Sequence, residues 1–340
     1  MRWRRIKAVG AATVLALAAQ ASPVAGQADA GRMSLYSFVE PSDPASEASL
    51  AAHAGALDGL MPAWIQVTGP DDALNITPDP AGRAVIARRR GRLEVLPLVS
   101  NAGFGRWYGP DSAALLASAS RRAALLDRLE PALAKLGAAG AVFDFETLPD
   151  SAQSDYRTFL AQARTRFARR GWRVGVAAPA ADPAWDLQAY GRVADRVLLM
   201  AYDQHWPGGE PGPIAAALWF ETVVGRASQA IPADRLIVGV AAYGYDWAQG
   251  TSAEAISAPE AQARAWRAGV APRRDPASGN MTYIYRVGGI PHVVWYLDAE
   301  AITMQIASAR ANGARALAFW RLGVEDPALW PRLADVTGRS

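Results

Sequence analysis

Eight short apolar runs, each followed at length by residues of helical or turn character, constrain this 340-residue chain more than any other feature. The runs lie at residues 34–39, 63–67, 93–100, 140–145, 173–178, 196–201, 236–242 and 316–320 and are rich in Val, Leu and aromatics. Between them, residues 46–57, 113–136, 154–170, 213–230 and 299–312 place apolar side chains at three- and four-residue spacing, as a helix with one buried face requires. Gly137, Gly171 and Gly313 stand where three of these helices should stop, because glycine enters the left-handed cap conformation without steric cost. A strand that returns by way of a helix enters its sheet in the same direction, so the pattern predicts parallel pairing. Eight such units predict an α/β fold, a (β/α)8 TIM barrel.

The rhythm breaks once, between the seventh and eighth runs, where the connection is far longer than one helix needs. Within it, residues 281–286 and 292–297 read as two strands joined by residues 287–291, so a small α+β insertion is expected at about 251–297. One catalytic domain over residues 33–335 accounts for the mature chain, and a composition that is 51% hydrophobic supplies its core. Nothing in the sequence asks for more than a monomer.

The first 26 residues read separately. Arg2, Arg4, Arg5 and Lys7 precede an apolar run over residues 8–21 and then small residues, the layout of a cleaved secretory signal. The run is short for a bilayer span, which takes about 20 apolar residues, so no span is expected in the mature protein and the chain is read as exported, periplasmic or secreted. Without these four basic residues the formal charge of +3 becomes −1, and no Lys/Arg footprint for nucleic acid remains. The absence of cysteine excludes disulfides and thiolate chemistry, and His53, His205 and His292 are too few for a histidine-rich metal site. No phosphate-cradling glycine loop occurs either, so neither metal nor cofactor is expected.

The sharpest chemical feature is Gly140-Ala141-Val142-Phe143-Asp144-Phe145-Glu146, an apolar strand that ends in two carboxylates separated by one aromatic residue. Strand alternation puts Asp144 and Glu146 on one face and Phe143 and Phe145 on the other. In a barrel the first face is the inner one, at the carboxy-terminal mouth where active sites form. Two carboxyls this close in a desolvated pocket favour one retained proton, which suits a general acid. The same two residues would also suit the start of the next helix. A second strand, Leu198 to Ala201, ends in Tyr202 and Asp203, a donor and an acceptor at the same rim. Aromatic residues cluster near strand ends; Trp64, Trp107, Tyr243, Tyr245 and Trp320 are candidates to face a sugar ring, whereas Trp219 and Trp266, inside helical patterns, are expected to pack.

Asp144-Phe145-Glu146, Met200-Ala201-Tyr202-Asp203, Ala242-Tyr243-Gly244-Tyr245-Asp246-Trp247 and Phe319-Trp320 together resemble the fourth, sixth, seventh and eighth strand ends of glycoside hydrolase family 18. Val294-Trp295-Tyr296 and Trp320-Arg321-Leu322-Gly323 look closest to its bacterial branch of spore-cortex glycosidases and of modules joined to polysaccharide deacetylases. The resemblance implies a retaining, substrate-assisted hydrolase of β-1,4-linked N-acetylglucosamine polymers: chitin, peptidoglycan glycan or an exopolysaccharide. Glu146 would be its acid and base, Asp144 would orient the acetamido group, Tyr202 would hydrogen-bond the attacking oxygen, Asp203 would contact the sugar and Trp320 would floor the subsite. Ala139 and Val142 stand where the fuller motif of the family has two earlier aspartates. The resemblance also admits a noncatalytic glycan-binding protein or an accessory factor of polysaccharide synthesis or export.

Overall fold

A computed structural model describes residues 31–338, and the leader read at residues 1–26 lies outside them. Every one of the eight apolar runs contributes to a single eleven-stranded sheet. Ser34–Val39 lies between Gly59–Pro62 and Ala316–Trp320. The order continues from Ala316–Trp320 through Leu236–Ala241, Arg196–Met200, Arg173–Pro179, Gly140–Asp144 and Leu98–Ser100 to Ile65–Thr68, all in parallel. Ala73–Ile76 adds an antiparallel edge.

Two of the runs are broken strands. The second, expected at residues 63–67, is the later half, Ile65–Thr68, of a strand whose first half, Gly59–Pro62, lies upstream of that run, and the third is Glu94–Val95 followed by Leu98–Ser100. Proline lies at each break, Pro62 and Pro97, and its missing N–H interrupts a ladder. The first halves pair with one another and so do the second halves. Because the two halves of the second strand sit at opposite ends of the pairing order, joined by Ala63 and Trp64, the sheet curls round.

The curl separates two apolar regions. Inside it, Phe38, Met61, Leu98, Val142, Leu198, Ile237 and Ala318 pack together. Outside it, a larger cluster fills the space beneath the helices. Alternation along Gly140–Asp144 puts Val142 in the inner set and Phe143 in the outer, where its ring meets Phe159 edge-on at 4.9 Å. Phe145 stacks on Tyr156 at 5.5 Å. Both partners stand on the helix Gln153–Ala168, so the strand that carries the carboxylates is fixed from behind by four aromatic rings. Burying each is worth about 1.5–3 kcal/mol, which makes this one of the firmest seats in the molecule.

The helical segment at residues 113–136 is two helices, Gly109–Ala117 and Ala119–Leu136. Ser118 adopts an extended conformation between them and caps the second by accepting the Arg121 N–H. Gly137, Gly171 and Gly313 all have left-handed φ, at 69°, 69° and 85°.

The chain leaves the parallel sheet at Ala241 and starts a second one at Tyr243, upstream of residue 251 where the insertion was expected to begin. This five-stranded sheet runs Glu254–Ser257, Tyr243–Ala248, Ile290–Tyr296, Met281–Val287, Arg273–Arg274 in antiparallel order. The helix Ala258–Arg267 covers Tyr283, Val294 and Tyr296. Asp246, 3% exposed, ties the unit together. It accepts from Arg264 Nη1 at 2.6 Å and Tyr285 Oη at 2.5 Å, and His292 Nδ1 lies 2.8 Å away. Trp266, expected to pack, is instead 83% exposed, because its helix turns Ala258, Ala261 and Ala265 toward the sheet. Among the described residues no helix is long and apolar enough to cross a membrane.

Candidate active site

The fourth strand ends at Asp144, and its parallel register with the third sets Asp144 beside Ser100. Asp144 is buried, and its Oδ1 accepts no hydrogen bond from the described residues. Glu146 is half-buried two residues on. Both line a cavity of about 200 Å³ with Tyr202, Asp203, Trp107 and Trp320, floored by the inner-set residues Phe38, Leu98 and Leu198. No basic residue lines this cavity. Carboxyls so placed resist ionisation. Burial pushes the Asp144 carboxyl up to about 7, and burial, with the charges of Asp144 and Asp203, pushes Glu146 up to about 8.

Asp203 follows the sixth strand in the left-handed conformation, φ 56°, which turns its side chain into the cleft. Its Oδ1 accepts from Tyr243 Oη and, at 2.9 Å, from Tyr245 Oη. Solvent reaches Asp203 through the cleft mouth, but protein surrounds the carboxylate elsewhere. That desolvation raises its pKa, against the two phenol hydrogen bonds, which lower it. Tyr243 and Tyr245 point the same way because they alternate with Gly244 on the first strand of the second sheet, and Gly244 approaches Trp295 and Tyr296 too closely to bear a Cβ. Tyr202 lines the same cavity, its ring 6.3 Å from that of Tyr243. Trp320 meets Phe38 edge-on at 4.8 Å, which holds its indole at the rim.

Two further hollows adjoin the central cavity. One, about 260 Å³, is lined by Glu146, Asp182, Tyr202, Asp203, Gln204 and Trp219; Trp219 packs against the outer core as expected and also presents a face to this hollow. The other, about 160 Å³, is lined by Asp203, Tyr243, Tyr245, Trp320 and Arg321, whose guanidinium pairs with Asp43. All three hollows share Asp203 in their linings, so they adjoin one another around it as a cleft.

Eight of the nine residues singled out in the sequence meet in this cleft. Trp64 does not: it is fully buried in the outer cluster, and its Nε1 donates to Asp79 at 2.7 Å. The break at Pro62 places it there, since the turn between the two half-strands sends the indole outward. Sequence reasoning gave Trp219 a packing role only and passed over Asp182 and Asn101. Trp219 and Asp182 reach the cleft only through the path of the loops after the fifth and sixth strands. Asn101, at a strand end beside a glycine-containing turn, offered only its position as a signal.

Similar proteins are found at the level of sequence and of fold. A cortical fragment-lytic enzyme of Bacillus subtilis is 30% identical over 208 residues, which are 57% of this chain and 48% of that protein, so the chain spans about half the length of the relative it matches. The spore cortex-lytic enzyme SleL of Bacillus megaterium superposes with a TM-score of 0.80 at 25% identity, over 90% of this chain and 74% of that one. A chitinase from Chromobacterium violaceum superposes equally well, TM-score 0.80, at 24% identity over 90% of this chain and 98% of its own, a likeness of fold. The family model for glycosyl hydrolases family 18 matches residues 98–325, from the third strand to the loop beyond Trp320, and on that match, which covers more than half of its length, the chain belongs to glycosyl hydrolases family 18.

Proposed function

We propose that this protein is a retaining glycoside hydrolase acting on β-1,4-linked N-acetylglucosamine-containing polysaccharide, with the curled sheet as a (β/α)8 barrel and the second sheet as an insertion flanking its mouth. The observation that carries the reading is the pair Asp144 and Glu146, both raised in pKa by burial, in a cleft walled by Trp107, Trp219 and Trp320. Glu146, holding its proton near neutrality, donates it to the glycosidic oxygen as the bond to the anomeric carbon breaks. The substrate's own 2-acetamido oxygen forms the new bond to that carbon, giving an oxazolinium ion, with Tyr202 as its hydrogen-bond donor. Asp144 stabilises the positive charge on the acetamido nitrogen. Glu146, now ionised, then takes a proton from the water that opens the ring. This is the substrate-assisted exception among retaining glycosidases.

Asp203 supports that route over a protein nucleophile, because two phenol hydrogen bonds to Oδ1 hold it as a fixed acceptor for a sugar hydroxyl. Two hollows that adjoin the central cavity, one lined by Asp182 and Trp219 and one by Tyr245 and Arg321, favour action within a polymer. The leader read at residues 1–26 favours an exported protein, which would meet such polymers outside the cytoplasm.

The deciding experiment is hydrolysis of N-acetylglucosamine oligomers and purified peptidoglycan glycan by the wild type and by Glu146→Gln, with binding measured on the same samples. The reading expects cleavage that falls at least about 10²- to 10⁴-fold in the variant while binding persists. Binding without cleavage by either form would make the protein a glycan-binding one instead.

A further inference from the structure

Glu146 stands where the strand ladder has already ended. The fourth strand stops at Asp144, whose carbonyl accepts the Asn101 backbone N–H at 3.3 Å, and the Glu146 peptide groups lie beyond the last strand pairing. The Asn101 side chain bonds both of them. Its Oδ1 accepts the Glu146 N–H at 2.9 Å, and its Nδ2 donates to the Glu146 carbonyl at 3.0 Å and to Ser112 Oγ at 3.1 Å. A carboxamide carries an acceptor and a donor side by side, as a peptide does, so Asn101 extends the ladder where no backbone is available. Its orientation is unambiguous: the flipped amide would face N–H with NH₂ and carbonyl with oxygen.

The next residue is clamped from the other side. Thr147 is left-handed, φ 54°, and packs on Gly109 so closely that a Cβ there would fall 2.0 Å from the Thr147 carbonyl oxygen. Asn101 itself is fully buried, and its own carbonyl accepts the Tyr108 N–H at 2.9 Å. Glu146 thus receives its backbone position from one buried side chain and one sharp turn.

We propose that Asn101 is the positioning residue for Glu146: by holding both of its peptide groups it sets where the acid carboxyl stands against the glycosidic oxygen, a role that rests on the acid function given to Glu146 above. A displacement of about 1 Å at a reacting group can cost about 10²-fold in rate. Loss of Asn101 is therefore read in turnover rather than in substrate binding, which Trp219, Trp320 and Asp203 retain.

The test uses the full chain as wild type, Asn101→Ala, Asn101→Asp and Ser112→Ala. For each, kcat and KM on N-acetylglucosamine oligomers are measured beside the thermal midpoint and the ¹³C NMR titration of the Glu146 carboxyl, assigned through Glu146→Gln. Asp144 and Asp203 act on that carboxyl as charges, and Tyr156, Tyr202 and Tyr245 lie near it as phenols; all five are unchanged in these variants. Asn101→Ala is expected to lower kcat about 10²-fold with KM within about threefold, and to move the Glu146 titration midpoint. Asn101→Asp keeps the acceptor but sets an oxygen against the Glu146 carbonyl, so kcat falls at least as far and the added charge raises the midpoint. Ser112→Ala removes only the outer bond and lowers kcat about fivefold, which decides the matter if the Asn101 variants do not fold. Folded variants that keep the wild-type kcat and Glu146 midpoint, while only their thermal midpoint falls, overturn the proposal. Should the wild type cleave none of the substrates, the hydrolase reading fails, and an unchanged Glu146 titration in the Asn101 variants then overturns the positioning role independently.

Discussion

Asp144 carries a buried carboxyl with an unpartnered Oδ1 into a central cavity that holds two more acids, Glu146 and Asp203, and that environment gives the site its pH response. Glu146 keeps its proton up to about pH 8, so the general-acid role proposed for it expects kcat/KM to fall above that value as it ionises. Below about 7, Asp144 gains a proton and loses the charge that the proposed route assigns to stabilising the acetamido nitrogen, so that route expects an acid limb. The negative charge of Asp144 is one cause of the raised Glu146 pKa, and Asp144→Asn should therefore move the alkaline limb to lower pH. A limb that stays in place in the variant would remove Asp144 as that cause. The same shift has a stability sign. Between the ordinary carboxyl value of 3.8 and about 7 the unfolded chain has lost the Asp144 proton that the folded chain retains, so the fold loses stability as pH rises through that window. Asp144→Asn should accordingly be more stable than wild type at pH 8, by on the order of a few kcal/mol at most, and nearly equal to it at pH 4, as thermal unfolding at the two pH values would show.

At the scale of elements, the fourth strand and the second sheet are secured by different means. Phe143, Phe145, Phe159 and Tyr156 seat the strand by apolar packing, and nothing in that seat titrates near neutrality. The second sheet depends on Asp246, which gathers Arg264, Tyr285 and His292 from three separate elements. Asp246→Ala leaves the Tyr285 hydroxyl and His292 without that acceptor, and about 3 kcal/mol is the expected cost. Hydrogen exchange should rise across residues 254–296 while residues 140–144 stay protected; uniform protection in both would mean that the network does not hold the sheet. The apolar periodicity of residues 113–136 carried no sign of the break at Ser118, because both helices bury the same side across it. The broken second strand escaped notice for a related reason: Pro62 reads as a boundary, and only pairing shows strand on both sides of it.

Over the whole molecule, the curl of the parallel sheet gathers strand ends that are distant in sequence into one cleft, and the extent of that cleft makes a further prediction. Trp219 lines the lobe on the Asp182 side, away from Tyr243. Trp219→Ala should raise KM for long oligomers on the order of tenfold through the lost ring contact and leave the shortest cleavable substrate little changed, as steady-state kinetics on a length series would show. Equal effects at every length would place Trp219 outside the substrate path. The sequence by itself determined the α/β alternation, most of the parallel strands and which residues stand at three strand ends, because periodicity and short-range alternation are local properties that a few neighbouring residues fix. Only tertiary structure decided that Trp64 faces the outer cluster while Trp219 reaches the cleft, that Asp203 is held by two tyrosines from a different sheet, and that Asn101 completes the backbone around Glu146. Those outcomes depend on pairing and loop paths between residues tens to hundreds of positions apart, for which a single sequence holds no local signal.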